Sequence, residues 1–140
     1  MRSDCPLNFG LEIFGDKWTL LIIRDLMFFG KQYFNEFLSS NEGISTNILA
    51  ARLSLLENEN FIKKENDKAH KQKIIYSLTE KGIALLPIII EIGLWSEQYA
   101  ASRLNPNRDI ILGEVKKNKD EGLQIIKERL YKTHIKAEEE

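Results

Sequence analysis

The sequence predicts a mainly α-helical chain carrying one small β-hairpin, and three observations predict it. Leu49, Leu53 and Leu56 recur at i, i+4 and i+7 over residues 46–57, the apolar stripe of an amphipathic helix. A shorter helical pattern over residues 33–38 precedes it, across a turn-like stretch at 39–43 that contains Gly43. Two runs of strand character, residues 61–65 and 73–78, follow it around the polar segment 66–72. Helix, turn with glycine, helix and hairpin in that order describe a winged helix-turn-helix.

Each element has a local cause. Pro6 suits the first helical position, so residues 7–14 form a first helix, with Leu7, Leu11, Ile13 and Phe14 as its apolar set. Gly15 ends it and Asp16 caps a second helix over 18–27, in which Leu21, Ile22 and Leu26 keep helical spacing and Trp18 belongs to the core. Residues 28–31 lead to the helix-turn-helix and are placed to add a short strand to the hairpin. Ser45 sits where an N-cap belongs, a contribution of about 1 kcal/mol. Asn60 stands where a left-handed residue would close the long helix. Opposite the leucine stripe lie Asn47, Ala51, Ser54 and Asn58, all small. Such a face fits a DNA major groove about 12 Å wide; it also fits the surface of an ordinary small bundle.

Thr79 caps a long helix that Pro87 should kink. Beyond Pro87, Ile88, Ile89, Ile90, Ile92, Leu94, Trp95 and Tyr99 are apolar almost all the way round. A helix hydrophobic on every side must be covered on every side. Either a second copy covers the outer face or the C-terminal tail folds back over it. Residues 105–107 stop this helix, and Leu123, Ile126 and Leu130 mark an amphipathic helix after Gly122. Glu138, Glu139 and Glu140 read as a solvated end. Residues 1–104 are thus expected to form the winged-helix domain with its dimerisation helices, and 105–140 a helical extension.

Composition narrows the function. The 140 residues suit a single core that needs no staple. The net charge of −1 neither supports nor excludes nucleic acid, because distribution matters more than the sum. The hairpin is the most basic patch, with Lys63, Lys64, Lys68, Lys71 and Lys73 against Glu65 and Asp67. No apolar run reaches the ~18 residues of a membrane span, no leader is visible, and one cysteine forms no intrachain disulfide. A cytoplasmic chain with no membrane partner is expected. His70 and His134 are far apart and show no metal-ligand spacing. With no phosphate loop and no nucleophile–base pair, neither an enzyme nor a cofactor is expected.

With these residues in view, the chain resembles the HxlR-type winged helix-turn-helix regulators, relatives of the MarR type. Cys5-Pro6, the stretch Gly15-Asp16-Lys17-Trp18 with its apolar continuation, Phe34-Asn35-Glu36-Phe37 followed by Gly43-Ile44-Ser45 and Arg52-Leu53, and Tyr76-Ser77-Leu78-Thr79-Glu80-Lys81-Gly82 carry the resemblance over about residues 5–100, with Trp95 on the long helix. Tyr33, Asn60 and the proline-free stretch 71–75 depart from the family pattern. The resemblance implies a bacterial, cytoplasmic repressor or activator. Its homodimer would form through the first and last helices, here Leu7 and Leu11 with Ile88, Ile92, Trp95 and Tyr99. Many members of the family respond to electrophiles, aldehydes or oxidants.

The DNA-facing candidates are Ser45, Thr46, Asn47, Ala51 and Ser54, since Asn pairs with adenine and an Ala methyl touches a thymine methyl. Arg52 falls toward the buried flank and serves either an ion pair or a phosphate. Lys68, His70 and Lys71 at the wing tip are candidate backbone contacts, against the alternative of a solvated loop. Lys17, beside a helix N-terminus, either reaches a phosphate or is solvated. Cys5 heads a helix, where a thiol's pKa falls and its thiolate gains reactivity. It is the candidate sensor of a small reactive effector; the other reading is a small hydrophobic side chain. Partners are therefore double-stranded DNA and a second copy of the chain. The alternative function is a winged-helix module for protein–protein contact without DNA binding.

Overall fold

The computed structural model describes residues 2–135, and its chain forms two compact units, one up to Ser77 and one from Leu78 onward. The three glutamates at 138–140 lie outside the described residues.

The first unit holds α1 (Pro6–Phe14), α2 (Thr19–Phe28), α3 (Phe34–Leu38), α4 (Thr46–Asn58), β1 (Ile62–Asn66) and all but the end of β2 (Ile74–Leu78). The two strands pair as a hairpin. Pro6 occupies the first turn of α1, as its fixed φ and missing N–H favour. Asp16 caps α2: its carboxylate accepts from the N–H groups of Trp18 (2.8 Å) and Thr19 (3.0 Å) and from the Thr19 hydroxyl. Trp18 itself is half-buried rather than a full core residue. Ser45 caps α4 by accepting from Ile48 N–H at 3.3 Å. Leu49, Leu53 and Leu56 are all buried, as the stripe requires. Asn60 takes φ +64°, the left-handed turn that sends the chain into β1, and Gly43 takes φ +73° in the turn between α3 and α4. The Phe37 ring meets the Tyr76 ring edge-on at 6.2 Å, joining α3 to β2.

The segment before α3 does not become a third strand. It makes a single ladder-like bond, Tyr76 N–H to Gln32 O at 2.8 Å, before the chain turns into α3. Gln32 and Tyr33 N–H both donate to Glu36 Oε1, which commits them to capping α3 rather than to extending the sheet.

Beneath these elements lies a polar cluster. Asp25, on α2, is almost wholly buried. Its carboxylate accepts from Arg24 Nε at 3.1 Å, from Arg24 at a terminal nitrogen at 2.8 Å, and from the Ser40 hydroxyl. Lys31 Nζ stands 3.6 Å from Asp25 and donates to Ser40 Oγ at 3.0 Å. Arg24 also holds Glu42 with two bonds, at 2.7 and 2.9 Å. Hydrogen bonds from Arg24 hold the Glu42 carboxyl below its ordinary value. One network thus ties α2, the lead-in to α3 and the turn before α4.

The second unit begins at Leu78. Thr79 caps α5 (Glu80–Ile83), accepting from Gly82 N–H at 3.2 Å. The expected long kinked helix is instead two: α5 stops and α6 (Leu86–Ala100) starts anew with Pro87 in its first turn. A proline has no N–H to offer the preceding turn, and the first turn of a helix needs none. Leu86, Ile89 and Ile90 are buried, while Ile88, Ile92, Trp95 and Tyr99 are exposed. By length and composition the 24-residue stretch Glu80–Arg103 is sufficient to cross a membrane, which corrects the sequence reading. Core helices meet the same criterion. This stretch also carries Glu91 and Glu97, each paired with a lysine.

After a short 3-10 turn come α7 (Asp109–Lys117) and α8 (Lys119–Leu130), closed by one π-turn (Tyr131–Ile135). The sequence reading missed α7 and started the last helix too late. Gly122 lies within α8, not before it, because a Cβ there would sit 2.6 Å from the Glu114 carbonyl. The glycine is a close-packing position between α7 and α8, which a reading based on helix breakers misassigns. Ile126 and Leu130 are buried as expected. The tail ends by docking: buried His134 accepts the Leu78 N–H at its Nδ1, 3.1 Å away.

The polar cluster sets a stability prediction. Asp25→Ala leaves Arg24 and Lys31 facing a buried, vacated acceptor site and should cost about 3 kcal/mol in urea unfolding, in the range for breaking a buried pair. A loss below about 1 kcal/mol would mean that water screens the cluster as it screens surface pairs.

Candidate nucleic-acid interface

The exposed face of α4 carries the residues the sequence singled out. Ser45, Thr46, Asn47, Ala51 and Ser54 are all exposed, and Asn58 continues the same face. The leucine stripe anchors the opposite side, so this polar face is presented on a capped helix rather than on a loop. Polar groups and methyls of this size reach base edges in a major groove.

Arg52 lies on the flank of that face. Its Nε stands 3.3 Å from Asp16 Oδ2, an ion-pair distance, although Nε is buried and meets no acceptor with hydrogen-bond geometry. Of its two sequence roles, the structure displays the ion pair. Burial pushes the Asp16 carboxyl up, but the bonds from Thr19 and Trp18, with Arg52 nearby, outweigh it and hold the group below its ordinary value. Lys17, next to this cap, is exposed.

The hairpin tip is a closed turn. Asp67 N–H donates to Lys73 O at 2.8 Å, Lys73 N–H to His70 O at 2.8 Å, and Ala69 N–H to Asp67 Oδ1 at 2.9 Å. Lys68, His70 and Lys71 project from it into solvent. Lys64, further down β1 and exposed, stands 3.6 Å from Glu57 of α4. Three ingredients of a winged-helix interface therefore occur in one unit: a polar helix face, a cationic tip, and the network around Asp25 that fixes the turn between α3 and α4. The network residues Arg24, Asp25, Lys31 and Glu42 were missed by the sequence reading. The only signal for them is an acid among the apolar residues of α2.

Cys5 is the residue immediately before α1 and is exposed. The N–H groups of Asn8 and then Leu7 draw its thiol below the ordinary value, against a small opposing effect of burial. No side-chain hydrogen bond closes this cap. On α1, Leu7 is 69% and Leu11 46% exposed. On α6, the exposed Ile88, Ile92, Trp95 and Tyr99 follow one another at i, i+4, i+7 and i+11, a single helical stripe. The Trp95 and Tyr99 rings lie 5.5 Å apart. Among the described residues, no three His, Cys, Asp or Glu side chains gather as a metal site.

Comparison with known proteins agrees with this architecture. The model of the HxlR-like helix-turn-helix family matches residues 13–103. The chain is 37% identical over 95 residues to the uncharacterized HTH-type transcriptional regulator YdeP of Bacillus subtilis, covering 68% of this chain and 73% of that one. Among solved structures, the reduced form of the B. subtilis transcriptional regulator YodB is 32% identical with a TM-score of 0.58, over 70% of this chain and 96% of YodB; YodB has also been solved bound to quinone. The redox regulator HypR in its oxidized form is 34% identical with a TM-score of 0.59, over 67% of this chain and 96% of HypR. Residues beyond 103, which include α7, α8 and the His134 contact, fall outside the family match. With that match over most of its length and relatives at this identity, the chain belongs to the HxlR-like helix-turn-helix family of transcriptional regulators.

Proposed function

We propose that this protein is a cytoplasmic, homodimeric DNA-binding regulator that places one α4 in each half of a pseudo-palindromic operator and responds to electrophiles or oxidants through Cys5. The observation that carries the DNA reading is the exposed face of Ser45, Thr46, Asn47, Ala51 and Ser54 on a helix anchored by its leucines. Two-fold symmetry places half-sites about 10 base pairs apart, or a multiple of that. Lys68, His70 and Lys71 contact the phosphate backbone, which supplies most of the affinity but little sequence information. Arg52 holds Asp16 and orders the start of α2 beside α4, and Lys17 adds a phosphate contact.

The Cys5 reading rests on its exposure and its lowered thiol. The relatives solved with quinone, or as an oxidized redox regulator, support the same chemistry. The thiolate adds to the electron-poor C=C of a quinone-type electrophile: the C–S bond forms as the π bond breaks, the electron pair passes to the carbonyl oxygen and a proton from water completes the adduct. The adduct sits at the start of α1, where Leu7 and Leu11 contribute to the dimer. A change there alters the spacing of the two recognition helices. The dimer reading rests on the exposed α6 stripe and on the same two leucines.

The first test is fluorescence anisotropy with duplexes from the DNA upstream of the protein's own gene. With about six phosphate contacts, affinity should fall roughly a thousandfold between about 50 and 200 mM salt. A quinone or similar electrophile should abolish binding by the wild type and leave Cys5→Ser bound. Binding indifferent to the electrophile overturns the sensor. Failure on every duplex, including a random pool, overturns the DNA reading and leaves a protein-docking module.

Separately, Trp95→Asp should sediment as a monomer while retaining its helical circular dichroism. A folded dimer would remove α6 from the interface. Replacing Lys68 and Lys71 together by Ala should weaken binding to all duplexes about equally and lower the salt slope by about 0.9 for each phosphate no longer neutralised. A loss confined to one sequence would contradict phosphate contact.

A further inference from the structure

The wing tip is fastened to the helix-turn-helix through Asp67 and Tyr33. Asp67 opens the tip and is the only acid between Asn66 and Lys73. Its Oδ1 accepts from Ala69 N–H, within the turn. Its Oδ2 accepts the hydroxyl of Tyr33, 34 residues earlier in the chain. Tyr33 stands at the N-cap position of α3, and its own N–H is held by Glu36 Oε1 at 3.1 Å. Next to it, Gln32 is bonded to β2 through both main chain and side chain: Tyr76 N–H donates to Gln32 O at 2.8 Å, and Gln32 Nε2 donates to Tyr76 O at 3.2 Å. Lys73 Nζ lies 5.4 Å from the centroid of the Tyr33 ring. The hairpin base is therefore fixed at Gln32 and its tip at Tyr33.

The geometry points to Tyr33 as a positioning residue: its hydroxyl, held by Asp67, sets where the tip bearing Lys68, His70 and Lys71 stands relative to α3 and α4, so that wing and recognition helix engage one stretch of duplex together. This rests on the DNA-binding reading above. Two physical consequences follow. A two-stranded hairpin has little stability of its own, so a tip without this tie would sample many orientations, and ordering them on DNA costs affinity. The tie also turns a carboxylate toward α3 that would otherwise lie among the cations facing phosphate. The shared hydrogen bond raises the Tyr33 hydroxyl and lowers the Asp67 carboxyl from their ordinary values. The tie is thus intact at neutral pH; acid that protonates Asp67 weakens it by removing the charge on the acceptor, and strong base that ionises Tyr33 removes its donor.

The test compares wild type with Tyr33→Phe, Asp67→Asn and Asp67→Ala by two readouts. Amide exchange at Asp67, Ala69 and Lys73, measured by NMR without DNA, reports the tip. Anisotropy on one duplex over a salt series reports its use. In Tyr33→Phe, exchange should rise at the tip alone, with the melting temperature nearly unchanged. Affinity should fall roughly three- to tenfold, the scale of one hydrogen bond, and the salt slope should drop by about 0.9 for each phosphate the wing no longer reaches. Asp67→Asn keeps one oxygen, which can accept from the Tyr33 hydroxyl or from Ala69 N–H but not from both at their present positions, so its tip protection should fall between those of wild type and Asp67→Ala. Unchanged exchange in Tyr33→Phe overturns the tie itself. Raised exchange with unchanged affinity and slope overturns its positioning role. A wild type that binds no duplex overturns the DNA reading and the positioning role with it, while the exchange data still report whether the tie exists.

Discussion

A buried carboxylate is the constraint on which the first unit depends. Asp25 sits on α2 among isoleucines, leucine and methionine, where an ion without partners would be prohibitively unfavourable. It is tolerated because Arg24, Ser40 and Lys31 all turn toward it. Each partner belongs to a different piece of chain: α2 itself, the turn after α3, and the lead-in to α3. Satisfying one charge therefore fixes three segments at once, and Arg24 extends the constraint to Glu42 just before α4. Apolar packing alone sets helix positions loosely, since many side-chain arrangements fill the same volume. Directional bonds to one oxygen pair do not have that freedom. In this chain they converge on the turn that determines how α4 leaves α3.

On that base, the candidate site uses two kinds of support. The polar face of α4 is carried by a helix with a capped start, a left-handed residue just past its end and three buried leucines. The wing has far less buried area to hold it, because most of β1 and the tip are exposed. It depends instead on discrete polar ties: Gln32 at the base, Tyr33 at the tip, and Lys64 to Glu57 at the side. Groups meant to meet base edges need the stiffer support, because a shift of an ångström breaks a bidentate contact. Groups meant to meet phosphates tolerate more, because a lysine ammonium acts largely as a point charge.

Legibility in the sequence followed the range of the interaction. Local periodicity and caps were readable: the α4 stripe, Ser45, Asp16, Thr79, and the left-handed turn at Asn60 all lie where the pattern placed them. The exposed character of the α4 polar residues followed from the same periodicity, whereas α6 read as apolar almost all the way round. What failed was non-local. Pro87 read as a kink because nothing in the flanking residues shows that α5 ends at Ile83. Gly122 read as a breaker because its cause is a neighbouring helix that passes too close for a Cβ. The Asp25 network joins residues up to 18 positions apart, and Tyr33 and Asp67 are separated by 34. Neither spacing belongs to a helix or a hairpin, so no window of sequence contains the signal.

The α6 stripe shows how far such reasoning extends. Ile88, Ile92, Trp95 and Tyr99 remain between 37% and 67% exposed. Fully covering a large apolar side chain contributes about 1.5–3 kcal/mol, so four of them per protomer, already half-covered, offer several kcal/mol each way in a two-fold pair. Association costs about 4–15 kcal/mol in lost freedom. In the proposed dimer the stripe on α6 alone would therefore be marginal as an interface, and the apolar side chains on α1 would be needed as well. On that proposal, part of the energetic weight of self-association would fall on the helix whose first N–H groups lower the Cys5 thiol. An adduct at Cys5 would act on a margin of a few kcal/mol, and a small structural change suffices to shift an equilibrium balanced that closely.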